Sequence, residues 1–165
     1  MRGELYRESN PIMPTMFALV TAIALIGMVV LLLYFTMAES MELNSAGGWT
    51  FMITIAIVLF ISILLFFFRI KILVTYESLT VGMFKGRVVL LRDIDSVVTE
   101  EFSAMKDYFG WGIKIGRKGL GYVVAGTNKG LRINLKTGKS FFISSKRLYE
   151  FESALKMALK SVKQK

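Results

Sequence analysis

Two long stretches without charged side chains dominate the first half of this 165-residue chain. One lies between Glu8 and Glu39, and the other lies between Glu42 and Arg69. A helix of about 20 mainly apolar residues crosses the ~30 Å hydrocarbon core of a bilayer. The pattern therefore predicts a transmembrane helical hairpin after a short N-terminal flank. The predicted segments are a flank over 1–14, helices over about 15–37 and 49–68, and a domain over 69–165.

Basic residues lie at both outer ends of this predicted hairpin. Arg2 and Arg7 precede the first helix, and Arg69 and Lys71 follow the second at juxtamembrane positions. The only charged residues of the connecting loop are acidic. Cytoplasmic segments of membrane proteins are enriched in Lys and Arg. The sequence therefore predicts a multi-pass protein of the cell membrane, surrounded by the lipid bilayer, with both termini in the cytoplasm.

After Arg69 the hydrophobic period changes to two. Ile70, Ile72 and Val74 alternate with more polar positions, and turn residues separate further short apolar segments as far as Phe102. This pattern predicts four strands in an antiparallel meander. Further strands are predicted over 121–125, 131–135 and 140–143, with a glycine-containing turn over 136–139.

The period changes again near the C-terminus. Either Ser144 or Ser145 is suited to cap a helix. Apolar residues then recur on one helical face, at Leu148, Phe151, Leu155, Ala158, Leu159 and Val162. The pattern predicts an amphipathic helix that closes the β-domain. The alternative interpretation is a basic helix that lies on a membrane surface.

Five short motifs lie in this C-terminal domain. They are Asp107–Ile113, Gly121–Val124, Gly126–Leu131, Lys136–Lys139 and Ile143–Arg147. In these motifs the chain resembles prokaryotic membrane proteins with a pleckstrin-homology-like (PH-like) domain, a largely uncharacterised family. The resemblance implies a mainly-β PH-like antiparallel barrel or sandwich that is closed by the C-terminal helix and joined to a transmembrane hairpin. Leu148 and Tyr149 stand where such families often have a Pro.

Composition limits the chemistry of the chain. It has 54% hydrophobic residues, no Cys and no His, so disulfides and thiol nucleophiles are excluded and the commonest general base is missing. Asp93 and Asp95, without further clustered oxygen ligands, make only a weak cation site. The glycine-rich segment 116–121 lacks the Gly-Lys-Ser/Thr ending of a P-loop and fits tight turns. The sequence therefore predicts no catalytic residues, no cofactor and no metal.

The formal charge of +9 is concentrated in the predicted domain, where residues 69–165 contain nineteen Lys and Arg against eight Asp and Glu. Nucleic acid is not expected as a partner, because such a surplus is common beside the inner leaflet and no reading motif accompanies it. The alternatives left open are a solvated basic surface and a site for anionic lipid headgroups. The headgroup candidates are Lys114, Arg117 and Lys118, with Lys85 and Arg87 as a second group.

Two function classes remain after these exclusions. In the first, the domain is a noncatalytic protein-interaction or scaffolding module that binds a protein partner or a second copy of itself through sheet edges or through Tyr108, Trp111 and Tyr122. In the second, it senses or organises anionic lipids at the inner leaflet. A membrane-bound enzyme is a remote third alternative, since no recognisable pair of nucleophile and base is present.

Overall fold

A computed structural model describes residues 3–12, 15–37, 49, 52–60 and 68–163. The chain forms two compact units, one made of Met1–Ile12 with Phe68–Lys165 and the other of Met13–Phe67. The amide of Ile12 donates a hydrogen bond to the carbonyl oxygen of Phe68 at 3.1 Å. The chain therefore leaves and re-enters the first unit at adjacent points. The N-terminal segment, predicted as a separate flank, belongs to the β-unit.

The second unit contains two described helical segments. Helix α1 runs over Thr15–Met37, and α2 is described over 52–60. No helix in the part of the chain that the structure describes qualifies, by length and apolarity together, as a membrane span. The side chains of α1 are described over 21–31 and at Leu33 and Tyr34. In the predicted second span, residues 50–51 and 61–67 lie outside the described residues.

This finding corrects the membrane predictions. The transmembrane hairpin over 15–37 and 49–68 is wrong as a description of this structure. The localisation as a multi-pass protein of the cell membrane with two cytoplasmic termini depended on those spans, and it is wrong on the same ground. The prediction rested on uncharged runs alone, and such a run permits a membrane-spanning helix without by itself establishing one.

A four-stranded sheet opens the β-unit. Its strands are β1 (Glu4–Pro11), β2 (Arg69–Thr75), β3 (Ser78–Gly82) and β4 (Arg87–Leu90), and all pair antiparallel in the order β1-β2-β3-β4. Alternation in β2 and β3 buries Ile70, Ile72, Val74, Leu79 and Val81 on one face. Strands β2 and β3 lie where the alternating pattern predicted them.

A five-stranded sheet follows a short 3-10 helix at Leu91–Asp93. Its strands are β5 (Ile94–Glu101), β6 (Gly112–Gly116), β7 (Gly119–Val123), β8 (Lys129–Leu135) and β9 (Ser140–Ser144), in the order β5-β8-β9-β7-β6. Strands β7 and β9 run parallel. The predicted PH-like antiparallel barrel or sandwich is therefore wrong, because one of the two sheets contains a parallel pair. The predicted four-strand meander is also wrong, since β5 pairs with β8 rather than continuing the first sheet.

Helix α4 (Leu148–Lys163) packs against a core shared by both sheets. Phe151, Leu155 and Ala158 are buried in this core, as the helical spacing predicted. A second, smaller cluster lies under the short helix α3 (Ala104–Tyr108) and consists of Phe102, Tyr108, Val123 and Phe142. Each fully buried large apolar side chain contributes about 1.5–3 kcal/mol, so the shared core supplies most of the stabilising burial.

A buried carboxylate joins β1 to the start of α4. Glu8 is 7% exposed and accepts hydrogen bonds from the Tyr6 hydroxyl at 2.7 Å, from the Ser145 hydroxyl and from the Lys146 amide at 3.1 Å. The Ser145 oxygen also accepts a hydrogen bond from the Arg147 amide, whereas Ser144 binds the Val124 amide elsewhere. Of the two predicted capping residues, Ser145 therefore bonds the backbone just before α4, and Ser144 does not.

Candidate interaction site

The β6–β7 hairpin forms one edge of the five-stranded sheet. Strand β6 is the terminal strand, and in the described part of the chain it pairs with β7 alone. Arg117 and Lys118 form the turn, and Gly119 follows with a φ of +87°, a left-handed conformation that favours glycine. Among the described strands, the outer edge of β6 is therefore unpaired, and it lies next to a cationic turn.

Helix α3 supports this hairpin from the outer face of the sheet. The carbonyl oxygen of Asp107 accepts a hydrogen bond from the Arg117 amide at 2.9 Å. The Asp107 carboxylate accepts from the Ser103 amide at 2.9 Å and lies 3.3 Å from the Lys118 ammonium. The Ser103 amide, with a smaller effect of Lys118, lowers the pKa of Asp107. Both the backbone and a charge pair thus connect α3 to the turn.

Arg132 on β8 connects the hairpin to the opposite edge of the sheet. Its Nε lies 3.0 Å from both carboxylate oxygens of Glu100, its Nη1 donates to the carbonyl of Lys118 at 2.8 Å, and its Nη2 donates to the Tyr108 hydroxyl at 3.0 Å. The side chain is 13% exposed. Burial alone would lower the pKa of Arg132, but Glu100 and Tyr108 outweigh it and raise that pKa.

We expect Arg132→Lys to lower the free energy of unfolding by about 1–2 kcal/mol. Lysine keeps the charge but cannot reach Glu100, Lys118 and Tyr108 with one planar group. Chemical denaturation followed by near-ultraviolet circular dichroism measures the change. Lys136→Gln in the exposed β8–β9 turn is the control and should stay within about 0.5 kcal/mol of the wild type. Equal stability of the two variants would show that the network is dispensable.

The predicted headgroup residues occupy two separate places. Lys114 and Arg117 are exposed on the hairpin, and Lys118 beside them is paired with Asp107. Lys85 is exposed in the β3–β4 turn. Arg87 is half-buried, with its guanidinium 4.7 Å from the centre of the Phe141 ring. The structure thus brings three candidates together at β6–β7 and engages Arg87 in the interior.

Two of the three aromatic interaction candidates are buried in the structure. Tyr108 is fully buried and stacks on Phe142 at 5.3 Å, and Tyr122 is buried in the main core. Burial raises the pKa of both hydroxyls. Trp111 is half-buried against the smaller cluster. The physical reason for the burial of Tyr108 is Gly121, where an added Cβ would lie 2.5 Å from the Tyr108 ring.

Other residues of the site were missed by the sequence analysis. Ile115 is 82% exposed, and Ile113 and the left-handed Phe109 (φ 58°) are also exposed. Alternating isoleucines between glycines fit either a strand or a strand-like loop, and they do not show a position at a sheet edge. Arg69 and Lys71, predicted as juxtamembrane residues, lie exposed on the outer face of β2. Within the residues that the structure covers, no group of three or more acidic side chains is placed to hold a metal ion.

No protein-family model matches the chain, and no curated protein matches it either. The resemblance to PH-like membrane proteins therefore stays a prediction. The geometry of the described residues carries the functional argument.

Proposed function

We propose that this chain is a noncatalytic interaction module that binds an extended segment of a partner protein along β6. The observation that supports the proposal is an edge strand that pairs on one side only within the described part of the chain and carries an isoleucine with 82% of its surface exposed. The outer side of such a strand offers unpaired N–H and C=O groups to an added strand. Backbone hydrogen bonds would supply affinity, and alternate side chains would supply specificity.

The other sheet edges carry features that discourage strand addition. Strand β1 has a register irregularity between Glu4 and Tyr6 and ends at Pro11. Strand β5 carries three acidic residues, and β4 is only four residues long. Charges, bulges, prolines and short length are the usual means by which proteins protect sheet edges. Strand β6 has one charged residue, Lys114, and therefore is the least protected edge.

The side chains of β6 define the chemistry of the partner. Ile113 and Ile115 lie on one face of the strand, and Lys114 lies on the other. A neighbouring strand is best matched when it places apolar residues beside the isoleucines and an acidic residue beside Lys114. Arg117 at the adjacent turn adds to the preference for acidic segments. Antiparallel pairing of two β6 strands would bring Lys114 residues together, so a second copy of the chain is a poorer partner.

Short peptides test this proposal. An acetylated heptapeptide of alternating Val and Glu should bind the full-length protein more tightly than its Val/Lys counterpart, measured by fluorescence anisotropy. Added salt should weaken the binding, because the charged contacts are exposed. Ile115→Lys should weaken it about tenfold or more, since it removes an apolar contact and places an ammonium group beside the Val positions of the peptide rather than beside its Glu positions.

The matched control is Val88→Lys, which introduces the same charge at an exposed position of β4. It should leave peptide binding unchanged. Equal binding of the Val/Glu and Val/Lys peptides, or equal effects of the two lysine variants, would exclude β6 as the docking strand. Concentration-dependent dimerisation that Ile115→Lys abolishes would instead identify a second copy as the partner.

A further inference from the structure

A groove crosses the outer face of the four-stranded sheet, away from the β6 edge. We define the β1–β3 groove by six of its lining residues, Arg7, Ser9, Lys71, Leu73, Gly82 and Phe84. Its volume is about 400 Å³, which lies within the ~300–1,000 Å³ range of small-molecule sites. The groove is distinct from the shared core, which lies on the opposite face of the same strands.

Strand register builds the groove with a cationic side and an apolar side. Arg7 pairs with Leu73, and Ser9 pairs with Lys71. Arg7 and Lys71 are therefore diagonal neighbours, about 7–8 Å apart by the usual geometry of antiparallel strands. The Arg7 guanidinium also contacts the Glu4 carboxylate, but this ion pair is exposed on the surface and contributes little. Both cations are thus available to one small anionic group.

The apolar side is formed by the β3–β4 turn. Phe84 is 82% exposed although its ring edge contacts Phe68 at a centroid distance of 5.6 Å. The turn is tightly closed, because a Cβ at Gly86 would lie 2.8 Å from the Thr80 side chain and a Cβ at Gly82 would lie 2.7 Å from Gly86. The turn therefore places Phe84 beside the groove.

We infer that the β1–β3 groove binds a single anionic amphiphile with a carboxylate or phosphate head and a hydrocarbon chain. The head would lie between Arg7 and Lys71, and the chain would lie over Leu73 against Phe84. Charge complementarity favours an anionic head, because the described lining contains two exposed cations, Arg7 and Lys71. Glu8 is the one acidic residue in that lining, and its carboxylate is bonded to Tyr6 and Ser145. Burial of methylene groups against Leu73 and Phe84 favours a chain over a bare ion.

Decanoate is a suitable probe for the full-length protein labelled with ¹³C at the methionine methyl groups. Met83 lines the groove, whereas Met105 and Met157 are exposed elsewhere, and Met83→Leu assigns the reporting signal. Decanoate should shift the Met83 methyl resonance saturably and leave the other two unchanged. Lys71→Gln should weaken binding about fivefold, which corresponds to roughly 1 kcal/mol for one exposed cation. Lys136→Gln removes a distant charge and should have no effect.

Three further ligands distinguish the contribution of the anionic head to binding from that of the hydrocarbon chain. Decanol tests the chain alone, acetate tests a carboxylate alone, and inorganic phosphate tests a free anion. Each should bind at least about tenfold more weakly than decanoate, because each lacks one of the two contacts. Decanol binding as tightly as decanoate, phosphate binding as tightly as decanoate, or an unmoved Met83 signal would each overturn the inference. Phe84→Ala changes the apolar side of the groove and leaves both cations in place. It should therefore weaken the binding of decanoate but not the binding of phosphate.

Discussion

Replacement of Glu8 by alanine is expected to lower the free energy of unfolding of the β-unit by about 3 kcal/mol. The carboxylate is buried and accepts hydrogen bonds from Tyr6, Ser145 and the Lys146 amide. Removal of one partner from a buried charged network leaves the other groups without their acceptor, which costs about 1–3 kcal/mol for a single group. Chemical denaturation followed by near-ultraviolet circular dichroism, which reports on packed tyrosines, measures the loss.

The pH dependence gives a second measurement on the same residue. Burial alone would raise the pKa of Glu8, but the polar groups of Asn10, Ser145 and Tyr6 outweigh it and hold that pKa below its ordinary value of 4.5. A carboxylate with a lowered pKa in the folded state stabilises the fold above its ordinary pKa, and the contribution is lost as the pH falls through the lower folded value. Stability of the wild type should therefore fall in this acid range.

Two variants separate this effect from general acid sensitivity. Glu8→Gln keeps the shape of the side chain and should have a flatter acid limb than the wild type. Glu4→Ala lies on the same strand but removes only an exposed pair with Arg7, so it should change stability by less than about 0.5 kcal/mol. Equal losses in Glu8→Ala and Glu4→Ala would mean that the buried carboxylate does not connect β1 to α4.

The same strand shows what a hydrophobic pattern cannot reveal. The inward positions of β1 are Tyr6, Glu8 and Asn10, so the strand lacks the apolar alternation that identified β2 and β3. Its partner β2 lies more than fifty positions further along the sequence, beyond the whole inserted unit. Polar side chains that pair with each other inside a fold look like surface residues in the sequence. The assignment of 1–14 to a flank followed from this.

Pairing between strands was the other feature that the sequence left open. Alternation located β5, β8 and β9 approximately, and Gly138 in the predicted turn has a positive φ of 79°. The parallel pairing of β7 with β9 depends on contacts between segments that are distant along the chain, and turn signals report only on sequential neighbours. For the same reason, Lys114, Arg117 and Lys118 were grouped from the sequence, but Arg132, which stabilises their hairpin, was not.

Gly116→Ala is expected to destabilise the β-unit by about 2–3 kcal/mol and to displace α3 from the hairpin. A Cβ at this position would lie 2.0 Å from the carbonyl oxygen of Asp107 and 2.6 Å from the Cα of Tyr108. These are backbone atoms, so no side-chain rotation relieves the overlap, and overpacking of this kind typically costs about 1–3 kcal/mol. The displacement of α3 should also break the hydrogen bond from the Arg117 amide to the carbonyl oxygen of Asp107.

Gly119→Ala is the matched control in the same hairpin. Its Cβ would meet no described atom within 4 Å, but its φ of +87° places an alanine in a left-handed conformation. Backbone strain alone costs about 1–2 kcal/mol, so Gly116→Ala should be the more damaging variant. Amide hydrogen exchange should show opening of α3 in Gly116→Ala only. Equal exchange in both variants would mean that α3 does not depend on close contact with β6.

Ile115→Lys and Gly116→Ala together distinguish the contribution of the β6 side chains to peptide binding from the contribution of the α3 contact that supports the strand. Ile115→Lys changes an exposed side chain, so it should weaken binding of the Val/Glu peptide while stability stays nearly constant. Gly116→Ala should lower both stability and peptide affinity, because β6 loses the support of α3 that holds its edge in place. If Gly116→Ala lost stability but bound the peptide as tightly as the wild type, α3 would contribute to the fold without positioning the strand for a partner.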